Sequence, residues 1–145
     1  MLRRADFVSE DLIRMPTKTP SQLELEILKV LWRAEVLNEL PLGVRDVRLR
    51  LAATGRDLAH SSVITTLNIM VRKRFLKRTK VKNAYRFAPA VRQQDIRQQE
   101  VSNLLDRVFD GSAQHLMSAL LDATHVDSKQ IAEIKRIINR KSKGE

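Results

Sequence analysis

Four short polar side chains, Ser61, Ser62, Thr65 and Asn68, recur at intervals of three and four within eight residues. On a helix this spacing gathers them on one side. Hydroxyls and amides both donate and accept hydrogen bonds, which is the chemistry that reads base edges in a major groove. Directly afterwards, from Arg72 to Arg86, stand eight cations and no acid: Arg72, Lys73, Arg74, Lys77, Arg78, Lys80, Lys82 and Arg86. Cations placed beside a polar reading face suit phosphates, which set affinity and register while the polar side chains set sequence choice. The competing reading of such a run is a solvated charged face, and location weighs against it. Residues 44–91 hold twelve Lys or Arg against Asp46 and Asp57, so this third of the chain carries a balance equal to the whole formal charge of +10. Charge concentrated in one stretch is an electrostatic footprint for nucleic acid; uniform basicity suggests solubility alone.

Elements must hold those groups. In TPSQLELEILKVLW, Ser21 and Glu24 make a capping box, with Thr19, Pro20 and Gln22 offering an overlapping alternative start, and Leu23, Ile27, Leu28 and Leu31 share one face flanked by Leu25 and Trp32. Trp32, at the end of that stripe, reads as core rather than as a base-stacking aromatic. Pro41-Leu42-Gly43 reads as a chain break, followed by a helix over Val44 to Ala53 with Val47 and Leu51 inward and Gly55 at its end. The segment HSSVITTLNIMVRKR contains β-branched residues that favour strands, but its period is helical: Val63, Leu67, Met70 and Val71 face one way, and Ser61, Thr65, Asn68, Ile69 and Arg72 the other. Ser61 or His60 is the expected N-cap. Two strands follow, Phe75 to Val81 and Ala84 to Ala88, turning at Lys82-Asn83, where Asn tolerates the positive φ of a tight hairpin. Three helices and a basic hairpin make a winged helix-turn-helix.

Residues 92–145 read as helical and apolar-faced: Val101, Leu104, Leu105, Val108 and Phe109, then Leu116, Met117, Leu120 and Leu121, then Ile131, Ile134, Ile137 and Ile138 behind an Asp127 cap. A tail this short cannot bury all these faces by itself. A second copy hides them most simply, with docking onto the first domain as the alternative. The expected organisation is a flexible arm over 1–18, a winged-helix DNA-binding domain over 19–91 and a helical dimerisation domain over 92–145. The fold class is mainly α with a small β-hairpin. Without cysteine, disulfides and thiolate chemistry are excluded. No apolar run reaches the roughly 20 residues of a membrane span, and Asp6, Glu10 and Asp11 interrupt the first fifteen residues where a signal peptide is apolar; a cytoplasmic location is expected.

The order of elements resembles the penicillinase-repressor family of winged-helix transcriptional repressors, which act on β-lactamase, methicillin-resistance and copper operons. PSQLELEILKVLW resembles the family's opening helix with its Leu-Trp pair at Leu31 and Trp32, and VRDVRLRL its second helix. SSVITTLNIMVRKRFL resembles its recognition helix, with Ser62, Val63, Thr65, Leu67 and Asn68 at the characteristic positions. YRFAPAV resembles the last wing strand and LLDRVFDGSAQHLMSALL the start of the dimerisation region, so the likeness covers about residues 20–140. Two departures stand out: Arg74 where the family usually has Gly after the recognition helix, and Lys82-Asn83 in place of a Gly-Arg wing turn.

The expectation is therefore a repressor that binds an inverted-repeat operator as a homodimer. Ser61, Ser62, Thr65, Asn68 and Ile69 read bases, with Ile69 either against a thymine methyl or half-buried. Arg72, Lys73, Lys77, Arg78, Lys80, Lys82 and Arg86 neutralise phosphates. Val101, Leu104, Leu105, Val108, Phe109, Leu116, Leu120, Leu121, Ile131, Ile134 and Ile138 form the dimer interface. In relatives controlled by a sensor protease the scissile bond is Asn-Phe in the first tail helix, and the matching pair is Asn103-Leu104; the competing reading has Asn103 exposed and Leu104 in the dimer core. No cofactor or metal is expected: the copper branch's cysteine cluster is absent, and His60, His115 and His125 are scattered. An enzyme is disfavoured because no triad, paired carboxylates or phosphate-cradling glycine loop stands out. The rivals are a nonspecific architectural DNA-binding protein and a winged-helix interaction adaptor.

Overall fold

The computed structural model describes residues 19–144; the expected arm over 1–18 lies outside the described residues. In chain order the elements are α1 (Gln22–Val36), β1 (Leu42–Gly43), α2 (Val44–Ala53), α3 (His60–Arg72), β2 (Leu76–Val81), β3 (Ala84–Pro89), α4 (Gln93–Phe109), α5 (Ala113–Ala123) and α6 (Ser128–Lys143). This is a mainly helical winged helix followed by a helical tail. The chain divides into two compact units, one ending at Glu100 and the other beginning at Val101.

The capping box that starts α1 has both its bonds: the Ser21 hydroxyl accepts from the Glu24 N–H at 3.2 Å, and the Ser21 N–H donates to Glu24 Oε1 at 2.9 Å. Three consecutive helices then end alike. Asn38 (φ 60°), Gly55 (φ 100°) and Arg74 (φ 69°) follow α1, α2 and α3 in left-handed backbone. In each case the next N–H reaches back to a carbonyl in the last turn: Glu39 to Ala34 at 2.8 Å, Arg56 to Leu51 at 3.0 Å and Phe75 to Met70 at 2.9 Å. These are Schellman stops, which ordinarily take Gly at the left-handed position. Arg74 accepts that conformation because the following residue, Phe75, is fully buried, and the turn is what delivers it to the core.

Two expectations need correction. Pro41-Leu42-Gly43 is more than a break: Leu42 and Gly43 form a short strand pairing antiparallel with Phe87 and Arg86, so the sheet has order β1-β3-β2. Its partner lies more than forty residues away, which no local pattern announces. The N-cap of α3 is Ala59, not Ser61 or His60, and no side chain caps it; both residues lie in the first helical turn instead.

The core of the first unit collects Ile27, Leu28 and Leu31 from α1, Val47 and Leu51 from α2, and Val63, Leu67 and Met70 from α3, closed by Phe75, Phe87 and Ile96. Trp32 is buried in it, and its Nε1–H donates to the Val91 carbonyl at 3.0 Å, satisfying the indole's one polar group. With the inward face of α3 locked this way, its opposite face must point out.

Candidate nucleic-acid interface

On α3, Ser61, Ser62 and Thr65 are exposed, while Asn68 and Ile69 are half-buried. The helix period thus puts the base-reading candidates along one outward arc, with Arg72 exposed at its end. Thr66, just outside the arc, turns its hydroxyl back to the Ser62 carbonyl at 2.8 Å.

The wing is a tight hairpin. Lys82 (φ 49°) and Asn83 (φ 65°) both lie in left-handed backbone, the requirement of a two-residue turn whose twist matches its strands. The register pairs Arg78 with Phe87, Thr79 with Arg86 and Lys80 with Tyr85. Strand alternation therefore sorts the cations. Arg78 and Lys80 share the hairpin face that carries Tyr85 and, at its base, buried Phe87 and Leu76. Lys77 and Arg86 lie on the other face, bordering a hollow with Glu35, Leu40 and Pro41. Lys82 sits at the exposed tip.

Between α3 and the wing runs a cleft of about 530 Å³, lined by His60, Ile64 and Asn68 from successive turns of α3, Asn83 to Phe87 from the wing, and Gly43 to Asp46 at the start of α2. Tyr85 and Ile64 were not singled out from the sequence as site residues. The i, i+4, i+8 row from His60 and the cross-strand pairing of Lys80 with Tyr85 are the signals that locate them.

The cations also differ in their engagements. Lys73 Nζ donates to Glu24 Oε2 at 2.9 Å, and Glu24 is 4% exposed. Burial pushes the Glu24 carboxyl up, but the Ser21 N–H bond and Lys73 outweigh it and hold it below the ordinary carboxylate value. Lys73 therefore ties the end of α3 to the start of α1. Arg78 Nη1 donates to Asn68 Oδ1 at 2.7 Å, and its guanidinium lies 4.2 Å from the centroid of the Tyr85 ring, with Lys80 Nζ at 6.0 Å from the same ring. Arg48 donates to the Leu58 carbonyl at 3.0 Å, Arg50 pairs with Glu39 at 3.0 Å and Arg56 forks onto Glu26 at 2.8 and 3.0 Å. Among the described residues, Arg72, Lys77, Lys82 and Arg86 have no ion-pair partner.

The second unit has a different surface. Its helices are well begun: Ser112 caps α5, and Asp127 with Gln130 forms a complete capping box on α6. Yet no described residue from Val101 onward is buried. Val101, Val108, Leu120, Leu121, Ile131 and Ile138 are exposed, and Leu104, Leu105, Phe109, Leu116 and Ile134 half-buried. Met117, Leu121, Val126, Ile131, Ile134 and Ile138 line an open apolar groove of about 540 Å³. Asn103 is exposed within α4, beside half-buried Leu104. Among the described residues, no three His, Asp or Glu come together to hold a metal ion, and no helix is long and apolar enough to cross a membrane.

A family model described as penicillinase repressor matches residues 20–140. Similar proteins include the penicillinase repressor of Staphylococcus aureus, 19% identical across 85% of this chain and 93% of its own length. The methicillin resistance regulatory protein MecI of Mammaliicoccus sciuri is 19% identical over 83% of this chain and 94% of its own. MecI of Staphylococcus aureus strain N315 is 18% identical over the same shares.

Proposed function

Because this chain belongs to the penicillinase repressor family, we propose that it represses transcription by binding an inverted-repeat operator as a homodimer. Its role is regulatory rather than catalytic. The observation that carries the reading is the outward arc of α3, with Ser61, Ser62 and Thr65 exposed, together with exposed cations without an ion-pair partner among the described residues at the arc's end, Arg72, and at the wing tip, Lys82. The arc presents hydroxyls and an amide to base edges, with Ile69 in reach of a thymine methyl. Arg72 and the wing cations, chiefly Lys77, Lys80, Lys82 and Arg86, neutralise phosphates. Lys73 contributes less of this, since its ammonium already serves Glu24.

Pairing rests on the apolar faces of residues 101–144. Helices whose stripes remain open to water are incomplete as a folded unit, and a second copy covers both sets at once. The first unit then acts as the reading head and the second, from Val101 on, as the clasp. In that arrangement Leu104 contributes to the clasp while Asn103 stays in solvent. A sensor protease acting at Asn103-Leu104 would have to unwind the middle of α4 first.

Footprinting the full chain on the DNA upstream of its own coding sequence tests the proposal. Two symmetric protected half-sites, one helical turn or a small multiple of it apart, are expected. Protection of one asymmetric half-site, or equal protection everywhere, contradicts it.

A further inference from the structure

We infer that Arg78 is a specificity-determining residue that acts through Asn68, not a phosphate contact; the inference rests on the operator-binding reading above. Three observations support it. Arg78 Nη1 meets Asn68 Oδ1 at 2.7 Å, its guanidinium stacks on Tyr85 at 4.2 Å, and both contacts fall on the wing face that looks onto α3. The planar group is thus held from two directions, and the wing is stapled to the middle of the reading arc.

The chemistry of the pair fixes what Asn68 can offer. A guanidinium has five donors and no acceptor, so the amide group facing it must be the carbonyl oxygen, and the NH₂ must face away. Arg78 therefore sets the orientation of an amide that could otherwise turn either way. A free asparagine reads adenine by accepting from N6 and donating to N7 together. With Oδ1 turned toward the guanidinium, the side of the Asn68 amide that faces away from Arg78 is its NH₂, which only donates. Its matching base edges are the acceptors, guanine O6 and N7 or thymine O4, rather than the donor-acceptor pair of adenine. Tyr85, 43% exposed, supplies the platform that keeps Arg78 in place when DNA arrives.

The test selects duplexes from a random library with the full-length wild-type chain. Base preference, affinity and salt dependence are then measured for Arg78→Ala, Asn68→Ala, the double variant and Asn68→Asp, with Lys77→Ala as a neighbouring-cation control. Selected duplexes should show one guanine or thymine position per half-site whose preference collapses in both Arg78→Ala and Asn68→Ala. The double variant should add nothing further, and the salt slope should stay unchanged. Asn68→Asp keeps a partner for Arg78 but turns an acceptor outward, so preference at that position should move to cytosine, whose N4 amino group donates. If Arg78→Ala weakens selected and random duplexes equally and flattens the salt slope as Lys77→Ala does, Arg78 is a phosphate contact and the inference fails while operator binding stands. If Arg78→Ala leaves both preference and affinity untouched, the staple is ornamental and the inference also fails. If the wild-type chain enriches no sequence at all, the operator-binding reading itself falls, and this assignment with it.

Discussion

The two units begin their helices equally well and bury them very differently. Ser21 with Glu24 starts α1, and Asp127 with Gln130 starts α6, each by a complete capping box. Yet α1 sinks Ile27, Leu28 and Leu31 to 0% exposure, whereas Ile131, Ile137 and Ile138 of α6 stay at 40%, 56% and 51%. Every buried apolar residue among those described lies at or before Ile96. Caps and helical period are local properties, satisfied by a segment alone; burial needs a second surface. The first unit finds that surface within itself, and the tail does not. That contrast is the physical argument for pairing, and it can be attacked from both ends.

The sharpest break should come from the first unit's core. Phe87→Ala removes a ring that is 1% exposed and should lower the unfolding free energy of that unit by about 3–5 kcal/mol, read as a shift of the denaturant midpoint. A comparable deletion in the tail should behave otherwise. Leu121→Ala with Ile138→Ala should leave that midpoint in place while weakening self-association by roughly 10- to 100-fold in sedimentation equilibrium. Loss of stability in the first unit, or unchanged association, would overturn the division of labour. The smallest effect is one of pH. The Arg56 fork, then the Gln22 amide, hold the Glu26 carboxyl down from 4.5 to about 2, and Glu24 is lowered as well. A carboxyl depressed in the folded state stabilises above its unfolded value and loses that contribution as pH falls through the folded one. Stability of the first unit should therefore decline below about pH 4.5 and keep declining towards about 2. Glu26→Gln should flatten that slope in acid-unfolding curves.

Much of this architecture was legible because it is written locally. The capping box at Ser21, the span Val44–Ala53, the helical period through Val63, Leu67 and Met70, and the turn at Lys82-Asn83 each depend on neighbours within a few residues. What escaped depends on distant partners. The strand at Leu42–Gly43 exists because Phe87 and Arg86 come alongside it. The Lys73 bond to Glu24 spans 49 positions and braces the end of α3 against the start of α1. Ala59 caps α3 without a side-chain bond although serines stand two and three residues on. Arg74 shows the same override: its left-handed backbone is unfavourable for a residue with a Cβ, and burial of Phe75 holds it there. For the candidate interface, sequence named the polar arc, but it did not separate the wing's cations into two faces or place Tyr85 beneath Arg78.

The central claim is that α3 reads DNA while the cations around it grip phosphates. Its most direct test is a titration of the full chain against a selected operator duplex and a random one across salt. If the dimer makes about eight phosphate contacts, affinity for both should fall by on the order of 10³-fold or more between about 50 and 200 mM salt. Arg72→Ala and Lys82→Ala should weaken both duplexes alike and lower the slope, and Thr65→Ala should change only the ratio between them. Affinity indifferent to salt, with no preference for the selected duplex, would contradict the account.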